Sequence, residues 1–468
     1  EYAMRIEKDT MGKMKVPDDS YYGAQTQRAF ENFQISNIKI PRPMISSIAM
    51  IKRSASIVNH KLGFFDSKIK DAIVRACDEV IQGKFDKQFI VDVYQTGSGT
   101  SSNMNANEII ANRACEILSG QKGDKSLVHP NDHVNLGQSS NDVIPTSIHI
   151  STTLELNKRL IPELKLLEKS LDNKSKEFDK IIKIGRTHLQ DATPITLGQE
   201  FSGYKHMITQ SINRIKNNLS FLNQLAQGGT AVGTGINTHK DFGKLIAKEI
   251  SAITNIKFEE SKNHFESQAT QDSIVELSGS LKTLSVSLYK IANDIRWLGS
   301  GPRSGIGELV LPAVQPGSSI MPGKVNPVIC ESLIQVSAQV IGYDTAITLG
   351  GLGGYFELNL MLPLIGYNIL ESINILSNSI KMFRLNLIDN LKADVNKCEG
   401  YIENSLAMCT SLAPIIGYDK AAFIAKEAFK MNKSIREICL EKKILPKKEL
   451  DKILNPFNMI QSNAKSKK

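Results

Sequence analysis

The amino-acid sequence predicts an all-α protein in which long helices pack side by side. Apolar residues recur at alternating spacings of four and three from Leu277 to Leu298, a heptad pattern typical of helices packed nearly parallel or antiparallel. A second segment, residues 332–343, lies within a predicted helix at 328–349 and contains no charged residue. Because a neutral helix has no face suited to water, we expect it in a bundle core or an oligomer interface. Strand signals are sparse.

In chain order, the predicted elements begin with one short hairpin in RIEKDTMGKMKVP, residues 5–17. A weaker heptad seam follows at 160–178, and another long apolar helix is predicted at 362–380. We expect three domains: an N-terminal domain (1–137), a central long-helix bundle (138–395) and a small lysine-rich helical domain (396–468). The apolar helix surface exceeds what one bundle would hide, which predicts a homo-oligomer.

Length and composition exclude several classes of protein. The chain has 468 residues, 41% of them hydrophobic and 22% charged, which fits two or three globular domains and not a disordered or collagen-like chain. No apolar run reaches the roughly 18–20 residues of a membrane helix, and the first residues lack the apolar segment of a secretory signal. We therefore expect no membrane partner.

Charge and cysteine usage narrow the partners further. The net charge of +9 comes mostly from scattered lysines, without the clustered basic and aromatic residues typical of nucleic-acid binding, so we expect no nucleic-acid partner. The six cysteines are far apart and form no CxxC pair, which predicts reduced thiols and no metal site. The expected compartment is a cytoplasm or, for a processed eukaryotic chain, a mitochondrial matrix.

Four segments are unusually dense in glycine and small polar residues. They are QTGSGTSSNMNANE (95–108), HPNDHVNLGQSSND (129–142), GRTHLQDATPITLGQE (185–200) and GSSIMPGKVNP (317–327). Hydroxyls, amides and exposed backbone N–H groups at helix N-termini suit the binding of carboxylates or phosphates. A single such loop is more often a capped turn, because Ser, Asn and Asp are preferred N-caps, but four in one chain favour a binding site.

The segment 317–327 resembles a phosphate-binding loop only in part. A P-loop requires G-x-x-x-x-G-K-[ST], whereas here Pro322 stands at the second glycine, Lys324 comes one residue late and Val325 replaces the Ser or Thr that binds magnesium. A nucleotide site is therefore disfavoured. The glycine-rich segment QGGTAVGTG (227–235) lacks the strand–turn–helix setting of a dinucleotide site and is predicted to be a flexible turn.

The segment 317–327 also matches the signature GSSxMPxKxNP, and on that match the chain resembles the fumarase/aspartase superfamily. The likeness covers nearly the whole chain and includes GAQTQR (23–28), the other three polar segments and IGYDKAA (416–422). Within the superfamily the chain is most similar to class II fumarases, because aspartases typically carry glutamine where this chain has His188. An amine-releasing lyase such as aspartase, and a catalytically silent structural homologue like some lens proteins, are the alternatives.

This resemblance implies a three-domain all-α fold and a homotetramer whose central domains form one helix bundle, with active sites assembled from three chains. It also implies the reversible addition of water to fumarate to give L-malate, through an aci-carboxylate intermediate and with no metal or organic cofactor. Preorganised N–H, hydroxyl and cationic groups stabilise such an intermediate. The residues implied to bind the dicarboxylate are Ser98, Gly99, Thr100, Ser139, Ser140, Asn141, Thr187, Ser319, Lys324, Val325 and Asn326.

Three residues are implied to carry the chemistry. Ser318 is implied to remove the proton as an oxyanion, stabilised by Lys324 and by backbone N–H groups at a helix start. His188 is implied to handle the leaving hydroxyl or the attacking water. Glu331 is expected to pair with His188, because a carboxylate at the head of a neutral helix is costly without a partner. The presence of these three residues, together with Lys324 and Asn326, argues against a silent homologue.

A second carboxylate site is implied near the active-site entrance. Its residues are His129, Pro130, Asn131 and Asp132. Many fumarases have a basic residue three positions before the histidine, where this chain has Ser126. We therefore expect this second site to be weak or absent.

Overall fold

The computed structural model describes residues 3–464, and α-helix dominates it, as predicted. The α-helices are α1 (Ala24–Asn32), α2 (Arg42–Lys61), α3 (Ser67–Ile81), α4 (Thr100–Ile117), α5 (Ser140–Glu155), α6 (Ile161–Glu177), α7 (Leu197–Leu222), α8 (Phe242–Thr254), α9 (His264–Ala269), α10 (Asp272–Leu298), α11 (Val328–Gly351), α12 (Leu362–Asn386), α13 (Val395–Asn404), α14 (Ala413–Ile416), α15 (Tyr418–Met431), α16 (Ile435–Glu441) and α17 (Lys447–Ile453). None of the helices within residues 3–464 combines the length and the apolar character that spanning a bilayer requires.

Short strands pair into two-stranded sheets between these helices. They are β1 (Met4–Asp9), β2 (Gly12–Pro17), β3 (Ile182–Thr187), β4 (Gln190–Thr196), β5 (Gln224–Leu225), β6 (Glu259–Glu260), β7 (Leu309–Val310), β8 (Gly354–Tyr355), β9 (Leu358–Asn359) and β10 (Lys392–Ala393). The β1–β2 hairpin is the predicted one, and its antiparallel register pairs Arg5 with Val16. The β3–β4 hairpin lies where a loop was expected, so that expectation is wrong.

The described residues group into two compact units. Unit 1 combines the residues up to Pro162 with Asn213–Ser285 and Ala338–Ser377. Unit 2 combines Glu163–Ile212, Val286–Ser337 and the residues from Asn378 onward. The division into three domains at residues 137 and 395 stays a prediction.

Each unit has its own apolar core. In unit 1, helices α2, α5 and α8 bury Ile51, Val143 and Phe242 together, each with no exposed surface. In unit 2, strand β3 packs through Ile182 and Ile184 against the C-terminal helices α13, α15 and α16. Each such buried side chain contributes roughly 1.5–3 kcal/mol. The base of the β3–β4 hairpin is therefore fixed within a core.

The structure confirms the predicted heptad seam and shows which surfaces of the helix at 328–351 are exposed. Leu277 and the apolar residues that follow it at heptad spacing lie on α10 and are all buried. In contrast, α11, which contains the uncharged stretch 332–343, keeps apolar side chains exposed in the single chain, including Ile341 and Leu349. The sequence predicted burial in a bundle core or in an oligomer interface, and the exposed side chains of α11 fit the second of these.

Candidate active site

Two helix N-termini bring hydroxyl groups together in unit 1. Helix α4 begins at Thr100 and α5 at Ser140, and the Oγ1 of Thr100 lies 2.7 Å from the Oγ of Ser140 and 2.7 Å from the Oγ of Ser98. Gly99 precedes α4 with a φ of 74°, and a Cβ there would lie 2.8 Å from Ile144, so a glycine is required. Three hydroxyls and the free N–H groups of two helices are suited to binding a carboxylate.

A buried carboxylate holds the start of α5 in place. Asp142 has no exposed surface, and its side chain accepts hydrogen bonds from the backbone N–H groups of Ser139 at 2.9 Å, Gly228 at 3.1 Å and Thr230 at 2.9 Å. Burial raises the pKa of the Asp142 carboxyl above its usual range, although these bonds oppose the rise. Asp142 therefore connects the start of α5 to the glycine-rich segment 227–235.

The glycine-rich segment is a turn, as predicted, but hydrogen bonds hold it in place. The Nδ2 of Asn141 donates to the carbonyl of Ala231 at 2.8 Å, and Thr230 donates from its hydroxyl to the carbonyl of Ile236 at 2.9 Å. With the two helix starts, this turn encloses a cavity of about 370 Å³. The cavity is lined by Thr100, Asn103, Met104, Asn135, Gly137, Gln138, Ser139, Ser140, Thr230, Ala231, Ile236 and Asn237, none of which carries a charge.

In unit 2, the segment 317–327 forms a closed turn. The N–H of Gly317 donates to the carbonyl of Lys324 at 2.8 Å, and the side-chain amide of Asn326 donates to the carbonyl of Gly317. A Cβ on Gly317 would lie 2.4 Å from the Lys324 carbonyl oxygen and 2.8 Å from the Asn326 nitrogen. Only glycine permits this closure.

Within this turn, the hydroxyl of Ser318 is surrounded by backbone donors. Its Oγ accepts hydrogen bonds from the N–H groups of Ile320 at 3.2 Å and Met321 at 3.0 Å. Such donors stabilise an alkoxide more than a hydroxyl, which favours deprotonation. The sequence placed these donors at a helix start, but they belong to a turn that precedes α11. The exposed side chains of the same turn include Ser319, Lys324 and Val325.

His188 lies at the tip of the β3–β4 hairpin. It forms the turn with Leu189 between the paired residues Thr187 and Gln190, and the φ angles of His188 and Leu189 are 56° and 59°. Two-residue hairpin turns with two positive φ values normally contain Asn or Gly, and other residues are strained there by about 1–2 kcal/mol each. Strain of this kind concentrates at functional sites. The turn leaves the side chains of Thr187 and His188 exposed.

A buried ion cluster anchors this hairpin just before its tip. The Glu308 side chain is 0% exposed and accepts two hydrogen bonds from Arg186, at 2.9 and 3.2 Å. The Nζ of Lys183 lies 3.3 Å from Glu308 and 3.2 Å from Glu200. Sequence reasoning missed this cluster. A lysine within the apolar run IIKI (181–184) was the available signal, because a buried lysine requires a partner.

Glu331 lies half-buried in the first turn of α11. Within residues 3–464 of the single chain, no ion pair or hydrogen bond joins Glu331 to His188. Both residues belong to unit 2, together with Thr187 and the 317–327 turn, whereas the residues between 98 and 141 that the resemblance implies for carboxylate binding belong to unit 1. The pairing of His188 with Glu331 stays a prediction.

The implied second site at residues 129–132 is a small capped turn. The Nδ1 of His129 accepts hydrogen bonds from the backbone N–H groups of Asn131 at 3.0 Å and Asp132 at 3.2 Å. A neutral imidazole bonded in this way carries its proton on Nε2 and offers one donor. The hydroxyl of Ser126 is engaged by Asp124. The weakness or absence of this site stays a prediction.

The thiols contribute no reactive group to either set of site residues. All six cysteines are free, and all except Cys409 are buried. Burial raises the pKa of Cys330 and of Cys398 to about 12, so both are protonated and unreactive at neutral pH. Residues 3–464 contain no group of three or more His, Cys, Asp or Glu side chains that could hold a metal ion.

Matches to protein-family models assign the chain to the lyases. Residues 12–342 match the family model described as Lyase, and residues 408–461 match the model described as Fumarase C C-terminus. The first match covers most of the chain and includes every site residue described above.

Known proteins identify the family more closely. The chain is 49% identical to the class II fumarate hydratase of Helicobacter pylori over 98% of this chain and 99% of that protein. It is 51% identical to the mitochondrial fumarate hydratase of Saccharomyces cerevisiae over 98% of this chain and 94% of that protein. The crystal structure of class II fumarase from Schistosoma mansoni matches with a TM-score of 0.95 and 40% identity, covering 98% and 99% of the two chains. The chain belongs to the class II fumarate hydratase family.

Proposed function

We propose that this chain is a hydro-lyase that catalyses the reversible hydration of fumarate to L-malate, a reaction of the tricarboxylic acid cycle. Its similarity to fumarate hydratases over nearly its full length supports this reaction. The observation that carries the chemistry is the pair of backbone N–H groups bonded to the Oγ of Ser318. A serine hydroxyl is a poor base, and preorganised donors make its alkoxide accessible.

The proposed mechanism is described from L-malate to fumarate. The Ser318 alkoxide takes a proton from the carbon next to one carboxylate, and the electron pair of that C–H bond enters the carboxylate to give the aci-carboxylate. The pair then forms the carbon–carbon double bond as the C–O bond at the neighbouring carbon breaks. His188, with Glu331 as its proposed partner, donates a proton to the departing hydroxyl, which leaves as water.

The residues proposed to bind the two substrate carboxylates form two groups, one in each unit. In unit 1, Ser98, Thr100, Ser139, Ser140 and Asn141 offer hydroxyl, amide and helix N–H donors. In unit 2, the proposed ligands are Thr187, Ser319, Lys324 and Asn326. Neutral donors and one ammonium group suit a dicarboxylate better than a phosphate ester, which commonly requires magnesium or arginine.

We propose a homotetramer whose active sites draw on three chains. The apolar side chains of Leu349, Leu352 and Phe356 are 55%, 70% and 93% exposed in the single chain. Exposed apolar residues in and just after α11, which contains the uncharged stretch 332–343, suit contact with further copies of the chain. Free cysteines support a reducing compartment, and we propose a cytoplasm or a mitochondrial matrix.

The test is to add purified protein to L-malate and, separately, to L-aspartate, and to follow the ultraviolet absorbance of the fumarate double bond. We expect fumarate from L-malate only. Fumarate from L-aspartate alone would identify an amine-releasing lyase instead. No absorbance change with either compound would favour a silent homologue.

A substitution tests the role of Ser318. We expect Ser318→Ala to lower kcat about 100-fold or more, because proton abstraction loses its base, while size-exclusion chromatography shows an unchanged oligomer. Ser319→Ala is the matched control, since it removes the neighbouring hydroxyl and should change KM more than kcat. A kcat near that of the wild type in Ser318→Ala would refute the assignment.

A further inference from the structure

A buried ammonium group lies directly behind the uncharged cavity of unit 1. Lys52 belongs to α2 and has no exposed surface. Its Nζ donates hydrogen bonds to the Oδ1 of Asn135 at 2.8 Å and to the Oε1 of Gln138 at 3.1 Å. Both of these amides line the cavity. Sequence analysis gave no role to Lys52, to Asn135 or to Gln138.

Both contacts of Lys52 are with neutral groups. A buried ammonium group is costly unless other groups compensate its charge, and amide oxygens compensate it only in part. The Asp142 carboxylate also attracts it, but the Asp142 side chain already accepts hydrogen bonds from three backbone N–H groups. The charge of Lys52 is therefore not cancelled by a contact ion pair.

Lys52 also fixes the orientation of the two amides that face the cavity. The Oδ1 of Asn135 accepts a second bond from Asn103 at 3.3 Å, and the Nδ2 of Asn135 donates to the Gln138 carbonyl at 3.2 Å. The Nε2 of Gln138 donates to the carbonyl of Val134 at 3.1 Å. Together with the two hydrogen bonds from Lys52, these bonds fix the orientation of both amide groups.

We propose that the Lys52 ammonium group binds and positions a substrate carboxylate in this cavity by electrostatic attraction through Asn135 and Gln138. The inference rests on the proposed function, since it assumes a dicarboxylate substrate. The cavity lining carries no charge, so a carboxylate there loses water without meeting a cation. A charge one layer behind acts strongly across a medium of low dielectric constant. Lys52 is thus a positioning residue that touches no reacting atom.

The protonation of Lys52 makes this role dependent on pH. Burial lowers the pKa of Lys52 to about 7, against the opposing attraction of Asp142 on α5. Burial also raises the pKa of the Cys77 thiol, which keeps that group neutral. Because the lysine loses its charge as the pH rises through this value, binding of a dicarboxylate should weaken above neutral pH.

The test uses succinate, a dicarboxylate that cannot be hydrated, and isothermal titration calorimetry on the full chain. The variants are Lys52→Met, which removes charge and donor, and Lys52→Gln, which keeps a donor. Lys61→Met on the same helix is the control, because Lys61 is exposed and pairs with Glu249. For the wild type we expect Kd to rise about tenfold between about pH 6 and about pH 8.5.

Both Lys52 variants should bind succinate about tenfold more weakly at about pH 6 and lose the pH dependence, while Lys61→Met behaves as the wild type. Wild-type affinity in Lys52→Gln, or an unchanged pH dependence in either variant, would overturn the proposal. If neither variant folds, the same titration of His188→Asn decides, because that substitution removes an ionisable side chain of the proposed active site and leaves Lys52 in place. A Kd independent of pH in that protein also overturns the proposal.

Turnover of L-malate by the wild type is measured alongside. Its absence would overturn the proposed function. Normal turnover, with unchanged succinate binding in the Lys52 variants, would overturn this inference alone.

Discussion

Replacing Glu308 by glutamine should loosen the hairpin that carries His188. The Glu308 side chain is 0% exposed, accepts two hydrogen bonds from Arg186 and lies 3.3 Å from the Nζ of Lys183, which is 1% exposed. Glutamine has nearly the same size and keeps one acceptor, but it removes the negative charge. In Glu308→Gln, Lys183 therefore keeps Glu200 as its ion-pair partner, whereas Arg186 keeps only the longer-range attraction of Glu200 and Asp191.

The burial of the cluster sets the size of the effect. Removing one partner from a buried ion pair costs about 3–5 kcal/mol, because the remaining charge stays desolvated. Glu200 stays 3.2 Å from Lys183, and the Arg186 side chain is 18% exposed, so water and Glu200 stabilise the remaining cations in part. We therefore expect a loss of about 3 kcal/mol, at the lower end of that range. Displacing His188 by about 1 Å would lower kcat/KM by up to about 100-fold.

The assay is urea unfolding at fixed pH and protein concentration, followed by turnover of L-malate under native conditions. Glu249→Gln is the control, because it breaks the pair with Lys61, which is 57% exposed, and should cost less than about 1 kcal/mol. If Glu308→Gln lowers the free energy of unfolding no more than Glu249→Gln does, the ion pairs of Glu308 with Lys183 and Arg186 are as solvated as a surface pair, and the reasoning is refuted. If it loses stability but keeps the wild-type kcat/KM, the hairpin does not depend on the cluster for its position.

Two further substitutions test the closed turn and a buried acid. Gly317→Ala should lower kcat/KM about tenfold or more, because its Cβ would lie 2.4 Å from the Lys324 carbonyl oxygen. Gly323→Ala is the control, because a Cβ there meets open space and costs only the roughly 1 kcal/mol of a positive φ. Equal kcat/KM values in the two variants would contradict this prediction. Burial raises the pKa of Glu108 from 4.5 to about 7, so its contribution to stability is complete below pH 4.5 and is lost as the pH rises through 7. In urea unfolding, the free energy of unfolding of Glu108→Gln minus that of the wild type should therefore increase by up to about 1.4 kcal/mol per pH unit between about pH 4.5 and about pH 7. The same pH dependence in both proteins would refute the burial of this carboxyl.

The elements that the sequence predicts well are those that local spacing determines. The seam of α10 repeats over the whole helix, so its buried face follows from periodicity alone. The β1–β2 hairpin is similar, because its strands are joined by a tight turn and pair with their immediate neighbours in sequence.

The β3–β4 hairpin could not be predicted in this way. Its turn lacks the Asn or Gly that marks such hairpins, since His188 and Leu189 take the positive φ angles. Its stability comes from distant partners: Ile184 packs on the C-terminal helices, and Arg186 pairs with Glu308 more than a hundred residues later. Propensity and spacing do not report contacts of this kind.

The sequence indicates which residue types form the candidate site. It does not indicate the supporting layer, by which we mean the residues behind and beside them, such as Lys52 and Gln138. Loops dense in serine, threonine and asparagine indicated the positions that are proposed to bind carboxylates, because those side chains serve as helix caps and as ligands alike. Lys52 gave no such signal, since a lysine on an amphipathic helix is normally exposed and only the fold shows that it is buried. Asn103 and Gln138 lie within the polar segments 95–108 and 129–142. That both line one cavity depends on how α4 packs against the turn at 130–134, which spacing in the sequence does not report.

The proposed chemistry explains why the supporting layer would carry charge. The aci-carboxylate bears one more negative charge than the bound dicarboxylate, so the site must stabilise three negative charges at once. Lys324 is exposed, and water weakens its attraction for any of them. A positive charge on Lys52 attracts the substrate from a desolvated position and occupies no space that the substrate needs. Two backbone N–H groups likewise stabilise the Ser318 oxyanion from within their own turn. The hydroxyls in contact with the substrate would then select its shape, while the groups behind them supply the electrostatic stabilisation.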